Sequence, residues 1–122
     1  MGMNVLVVGG GEVGTYLASL LAGRHRVKVI EVRQEEISRL QQALSADVVM
    51  LGNGTDPAIL EAAGIRQANV VAAVTGTDET NLVVTSLARF EFNVPRTIAR
   101  VRTPQNAWMF TAAMASVTRV TA

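Results

Sequence analysis

The sequence predicts an α/β fold: a doubly wound parallel sheet of about six strands with helices on both faces. Three observations predict it. Short apolar β runs alternate with helical patterns along the whole chain. Hydrophobic residues make up 49% of the 122 positions and aromatic residues only 4%, so the apolar mass is mostly Val, Ala, Leu and Ile, as suits strands covered on both faces. A glycine-rich turn stands directly between the first strand and the first helix.

The elements follow in order. Asn4–Val8 is a short apolar run that ends in glycines. Residues 13–22 carry Val13, Tyr16, Leu17, Leu20 and Leu21 at the spacing of one buried helical face, which places Tyr16 in the core. Residues 27–32 form the second strand, and 35–44 a helix with Ile37, Leu40 and Leu44 on its inner side. Residues 47–51 are the third strand, closed by Gly52-Asn53-Gly54. Asp56 is an N-cap, Pro57 fills the first helical position and Gly64 fits a C-cap, so residues 57–63 form a short helix. Residues 70–74 are strand four. Thr77-Asp78-Glu79 opens a helix to about residue 92, with Asp78 expected as its N-cap and acids where the helix dipole favours them. Arg96–Val101 is strand five, Thr103-Pro104 caps a helix to about residue 115, and residues 117–121 begin a sixth strand.

Bulk properties exclude several classes. A net charge of +1 with scattered basic residues gives no electrostatic basis for nucleic-acid binding. With no cysteine and one histidine there are no disulfides or thiolates, and no metal site is expected. The uncharged stretch 103–118 contains Pro104, Gln105 and Asn106 and makes a poor membrane span. No secretory signal precedes the first strand, so a cytoplasmic protein is expected. Met1-Gly2 reads as a cloning remnant, and the chain reads as one domain over 1–122, excised from something longer.

Gly9-Gly10-Gly11-Glu12-Val13-Gly14 is a G-x-G-x-x-G between strand and helix. Gly9 allows the tight turn, Gly11 lets the backbone approach a pyrophosphate, and Gly14 lets the helix lie close to the strand, as in a Rossmann-like fold. Free N–H groups at the helix start then face phosphates. Glu31, twenty residues after Gly11, ends strand two where an acid accepts from ribose hydroxyls, with Val32 beside it. That acid favours NAD(H) or an adenine nucleotide over NADP(H), while Arg33 could pair with a 2′-phosphate. The loops Gly52-Asn53-Gly54-Thr55 and Thr75-Gly76-Thr77-Asp78 sit at the carboxyl ends of strands three and four, where ligands bind in open α/β sheets.

The stretch from Asn4 to Gly14 resembles the N-terminal nucleotide-binding (TrkA-N) domain of Trk-type potassium uptake regulators, also called RCK or KTN domains. Three later blocks match in order: 52–56, 74–82 and 98–102. The resemblance implies a regulatory module, not an enzyme. It implies homo-dimers or rings beneath an integral membrane potassium channel or transporter subunit, and NAD(H), ATP or ADP as ligand. It places Gly9, Gly11, Glu12 and Val13 at the phosphates, Glu31 at the ribose, and Asn53, Gly54 and Thr55 beside the adenine. Thr75, Gly76 and Thr77 close the other side, with Arg100 and Arg102 near the phosphates. Glu12 stands where some relatives carry arginine, and Asn53 where many carry aspartate. The ligand-sensing domain that often follows is missing from this chain.

Two other classes share the glycine loop. A small oxidoreductase needs a proton donor near the nicotinamide. His25 precedes strand two at the opposite end of the sheet, and Tyr16 is expected in the core. An assembly module with constitutively bound nucleotide draws support from Trp108-Met109-Phe110, three consecutive large residues that one helix face cannot all bury.

Overall fold

The structure, a computed structural model, describes residues 2–113 and 118–121. Six parallel strands lie in the order β3-β2-β1-β4-β5-β6: β1 Asn4–Val8, β2 Arg26–Glu31, β3 Val49–Leu51, β4 Val70–Ala73, β5 Arg96–Val101 and β6 Thr118–Thr121. Helices α1 (Glu12–Leu21), α2 (Ile37–Ala43), α3 (Pro57–Ala62), α4 (Asp78–Ser86) and α5 (Ala107–Ala113) connect them. The expected end of the last helix, near residue 115, lies outside the described residues.

The period-two alternation of a strand divides each apolar run between two cores. In β1, Val5 and Val7 face one way with Val29, Val70 and Ala72, and pack on Ala18 of α1 and Leu40 of α2. Leu6 and Val8 face the other way with Ile30, Val71 and Ala73, under Leu60 of α3 and Val84 of α4. A third cluster joins Ala99 and Val101 of β5 to Phe110 of α5. Burial on both faces explains why β1 and β4 read as unbroken apolar runs.

The capping signals act as the sequence indicates around α3. Asp56 accepts from the Ala58 N–H, Pro57 takes the first turn, and Gly64 sits left-handed at φ 91°. Elsewhere the structure differs. The helix expected to run to residue 92 is α-helical only to Ser86, and a π turn follows over Leu87–Glu91, closed by Phe92 N–H to Leu87 O. The wider turn brings Phe92 and Val94 inward and leaves Phe90 exposed. Asn93 then leaves the helix at φ 53°.

The larger correction concerns α1. Its inner line is Gly14 and Ala18, flanked by half-buried Leu17 and Leu21. Tyr16 is 67% exposed and Leu20 60%, so Tyr16 is not a core residue. A Cβ on Gly14 would collide with the Gly9 carbonyl oxygen, so the helix approaches the sheet on its smallest residues. Seating the small side inward turns Val13, Tyr16 and Leu20 outward as a stripe.

Leu60→Ala is expected to cost about 2–5 kcal/mol, as large-to-small changes in a closed core do. Leu20→Ala is expected to stay within about 0.5 kcal/mol. Urea denaturation checks both, and a Leu20 cost equal to that of Leu60 would contradict this seating of α1.

Candidate functional site

The chain leaves β1 toward β2 and leaves β4 toward β5, so the loops after β1 and β4 diverge and open a crevice at the carboxyl edge of the sheet. A cavity of about 420 Å³ occupies it, lined among others by Gly9, Gly11, Glu31, Asn53, Thr75 and Arg100. That volume lies within the range of small-molecule sites.

Gly9 is the pivot. Its φ is +114°, and a Cβ there would come within 2.8 Å of the Thr75 nitrogen, so the β1 and β4 loops meet through it. Gly11 is the N-cap of α1, with no side chain capping the helix. The first-turn N–H groups of α1 therefore begin at the crevice.

Glu31 is buried at the end of β2 and accepts from the Gly10 N–H at 2.7 Å and the Arg33 N–H at 2.7 Å. The Arg33 guanidinium adds Nε to Oε2 at 2.9 Å and Nη2 to Oε1 at 3.4 Å. Burial by itself would raise the carboxyl pKa. The Arg33 side chain, the two N–H donors and the guanidinium charge outweigh it and hold Glu31 below its ordinary value.

Asn53 Oδ1 accepts from the Thr55 N–H and hydroxyl, which folds the loop after β3. Across the crevice, Asn81 is fully buried in α4 and braces two strand ends. Its Oδ1 accepts from the Thr75 N–H at 2.9 Å and the Thr75 hydroxyl at 2.7 Å, while its Nδ2 donates to the Arg100 carbonyl at 2.9 Å. Arg100 lines the cavity, and its buried Nε has no acceptor among the described residues.

Of the residues singled out in the sequence, the structure brings together Gly9, Gly11, Glu31, Val32, Asn53, Gly54, Thr75, Gly76, Thr77 and Arg100 around one cavity. Glu12 and Val13 lie outside that lining, in a shallow hollow with Tyr16 and Arg39. Thr55 also stands outside it, tied to Asn53. Arg102 is exposed, its side chain on the Gly76 carbonyl at 3.1 Å. Asp78 is not the cap of its own helix: Thr77 holds the N-cap position. The buried Asp78 carboxylate instead accepts from the Arg102 N–H, the Thr103 N–H and Asn106 Nδ2, fixing the loop after β5. Those three donors and the Arg102 charge overcome the opposing effect of burial and lower its pKa. Sequence reasoning gave no role to Asn81 and Arg39. Asn81 falls in helical phase with buried Val84, Thr85 and Ala88, a signal that was available. Arg39 reaches the Gly10 carbonyl at 2.7 Å from a helix remote in sequence, and no local pattern marks it.

The TrkA-N domain model matches residues 5–120. The chain belongs to the TrkA-N domain family. It is 44% identical over 110 residues to a Trk system potassium uptake protein TrkA homolog of Methanothermobacter thermautotrophicus, an alignment covering 88% of this chain and 50% of that protein. It is 35% identical over 109 residues to the Trk system potassium uptake protein TrkA of Mycobacterium tuberculosis, covering 88% and 49%. The chain thus spans about half the length of these two curated relatives. Among solved structures, the TrkA-N domain of the inner membrane protein ybaL from Escherichia coli superimposes with TM-score 0.83 at 23% identity, covering 99% of this chain and 88% of that one. The GsuK channel bound to NAD superimposes with TM-score 0.80 at 24% identity, covering 98% and 21%. These two likenesses establish the Rossmann-like TrkA-N fold.

Asn81→Ala is expected to destabilise the domain by about 2–3 kcal/mol in urea denaturation, because it strands the Thr75 N–H and the Arg100 carbonyl. A cost below about 0.5 kcal/mol would contradict its role as a brace. The pH dependence follows from the two lowered carboxyl pKa values. A carboxylate whose folded pKa is depressed stabilises the fold above its unfolded pKa, and that contribution fades as pH falls through the folded value. The melting temperature is expected to hold between about pH 7 and 5 and to drop below about pH 4, with a shallower acid limb in Asp78→Asn. An acid limb unchanged in that variant would remove Asp78 from the explanation.

Proposed function

We propose that this TrkA-N domain is a nucleotide-sensing regulatory part of a potassium transport system, with NAD(H) or an adenine nucleotide (ATP/ADP) in the cavity between β1 and β4. The observation that carries the proposal is the set of groups lining it: the backbone of Gly9 and of Gly11, the N-cap of α1, the Glu31 carboxylate, and the Arg100 side chain, whose buried Nε has no acceptor among the described residues. These suit a phosphate chain at one end and a ribose at the other. The names of the curated relatives and the NAD in the GsuK structure support the same reading.

In this proposal Gly9 and Gly11 approach the phosphates and Arg100 neutralises them. Glu31 and Val32 meet the ribose, Asn53, Gly54 and Thr55 flank the adenine, and Thr75, Gly76 and Thr77 form the opposite wall. Glu12 and Val13 are carried as phosphate-side positions through their backbone at the helix start. No catalytic residue is proposed. His25 accepts from the Met3 N–H at the amino end of the sheet, away from the cavity, and gives no support to an oxidoreductase. The domain acts as a homo-dimer or larger ring on the cytoplasmic face of an integral membrane potassium channel or transporter subunit. Among the described residues no helix is long and apolar enough to cross a membrane. A nucleotide alters ion flux by binding two shapes of the assembly with unequal affinity.

Thermal unfolding with NAD⁺, NADH, ADP and ATP is the test. A nucleotide at about a hundred times its Kd is expected to stabilise the domain by about 2.7 kcal/mol. Gly11→Val is expected to abolish the shift and leave the unliganded melt nearly unchanged, since a Cβ at Gly11 meets no atom within 4 Å. No shift with any of the four, or a shift retained in Gly11→Val, would overturn the proposal. Trp108 is 66% exposed, and Trp108→Ala is expected to weaken self-association in sedimentation velocity. A monomer indifferent to the change would remove that surface from the assembly.

A further inference from the structure

Within the chain itself, Glu31 has a full set of donors. A carboxylate offers about four lone-pair directions. Two are taken by the main-chain N–H groups of Gly10 and Arg33, each at 2.7 Å, which the fold of the β1 and β2 loops holds in place. The other two are taken by the Arg33 guanidinium, through Nε at 2.9 Å and Nη2 at 3.4 Å. The Glu31 side chain is only 4% exposed, whereas that of Arg33 is 50% exposed. Both residues line the crevice, with Val32 between them.

A ribose diol at this edge must donate to the same outward-facing oxygens that Arg33 occupies. The ribose therefore replaces charge-assisted bonds instead of filling free ones, which costs an unphosphorylated nucleotide part of its binding. A 2′-phosphate behaves differently. Unshielded, the Glu31 charge would repel it. With the guanidinium between them, one cation serves both anions, and its fork of N–H donors matches a phosphate as well as a carboxylate.

We propose that Arg33 is the residue that sets ribose selectivity in this site, holding Glu31 neutralised so that nucleotides with a 2′-phosphate are accepted alongside those with a free diol. The inference rests on the nucleotide reading above and deepens it, and it concerns the ribose end alone. Arg33 acts on affinity from the rim. Its half-exposed side chain can be removed while its N–H still donates to Glu31.

The experiment is isothermal titration of the wild-type chain, Arg33→Ala and Arg33→Lys with NAD⁺ and NADP⁺, with melting curves confirming that each variant folds. Wild type is expected to bind the two nucleotides within about tenfold of each other. In Arg33→Ala the ratio of Kd for NADP⁺ to Kd for NAD⁺ is expected to rise at least fivefold, through weaker NADP⁺ and equal or tighter NAD⁺, by roughly the margin one charged contact supplies. Arg33→Lys keeps the charge without the fork and is expected to restore part of the ratio. A ratio that moves less than fivefold, or toward NADP⁺, overturns the inference, as does a wild type that binds NAD⁺ and not NADP⁺. If neither nucleotide binds wild type, the nucleotide reading itself fails. If NAD⁺ binds in a Gly11→Val-sensitive way while Arg33→Ala leaves the ratio unmoved, only the inference about Arg33 fails.

Discussion

At the carboxyl end of β1 the main chain is crowded from two directions. A Cβ on Gly9 would press on the Thr75 nitrogen, and one on Gly14 would collide with the Gly9 carbonyl oxygen. Strand, loop and helix therefore meet through positions where only hydrogen fits. The seat of α1 follows from this contact, because the helix must present Gly14 and Ala18 inward and cannot present Tyr16. The place of its N-terminus follows too, since Gly11 and the first-turn N–H groups begin where β1 stops. So does the floor of the crevice, because Gly9 holds the β1 and β4 loops at contact distance. Had the approach been looser, the helix dipole and the opposite wall would no longer address one ligand-sized space.

The apolar cores position the sheet, but they do not position the loops above it. That task falls to three buried polar side chains, each joining segments from different strands. Glu31 ties the loop after β1 to the end of β2, Asn81 ties the end of β4 to the end of β5, and Asp78 ties the start of α4 to the turn after β5. Buried groups of this kind are costly when unpaired and specific when satisfied. Hydrogen bonds, unlike apolar contacts, fix direction as well as distance. Loops carrying binding groups on a rigid sheet need that directional hold. Arg100 contrasts with them, since its main chain is held by Asn81 while its Nε has no acceptor among the described residues.

What could be read from the sequence was what local chemistry determines. The glycine loop, the Asp56-Pro57 and Gly64 helix ends, and the alternating β runs each carry their signal within a few residues. The cavity lining was largely legible as well, because the loops at the carboxyl edge of a parallel sheet converge by topology. The misreadings share a cause. Apolar periodicity in α1 marks an arc wider than the buried face, and only the Gly9–Gly14 contact decides which part faces inward. An acid at a helix start reads as a cap, yet Asp78 serves donors more than twenty residues away. The π turn at Leu87–Glu91 answers to where Phe92 and Val94 must be buried, which no helical propensity encodes.

The ribose end of the crevice shows why a motif does not fix a ligand. An acid at the end of β2 is read as a ribose acceptor because an isolated carboxylate has lone pairs to offer. Here two of those directions serve the fold and two serve Arg33, so the acid is already a structural group. Its lowered pKa reflects the same donors, whose pull exceeds the cost of burial. A ligand at this edge thus exchanges partners with the protein, and the affinity it gains is the difference between two sets of bonds. Such an exchange frees a guanidinium at the surface of the domain whenever a diol binds, and leaves it bound whenever a phosphate does. The chemistry at one ribose carbon is then converted into the placement of a charged side chain on the rim. This coupling is physically direct. It requires no movement of the sheet, only a change in whether Arg33 stays bound.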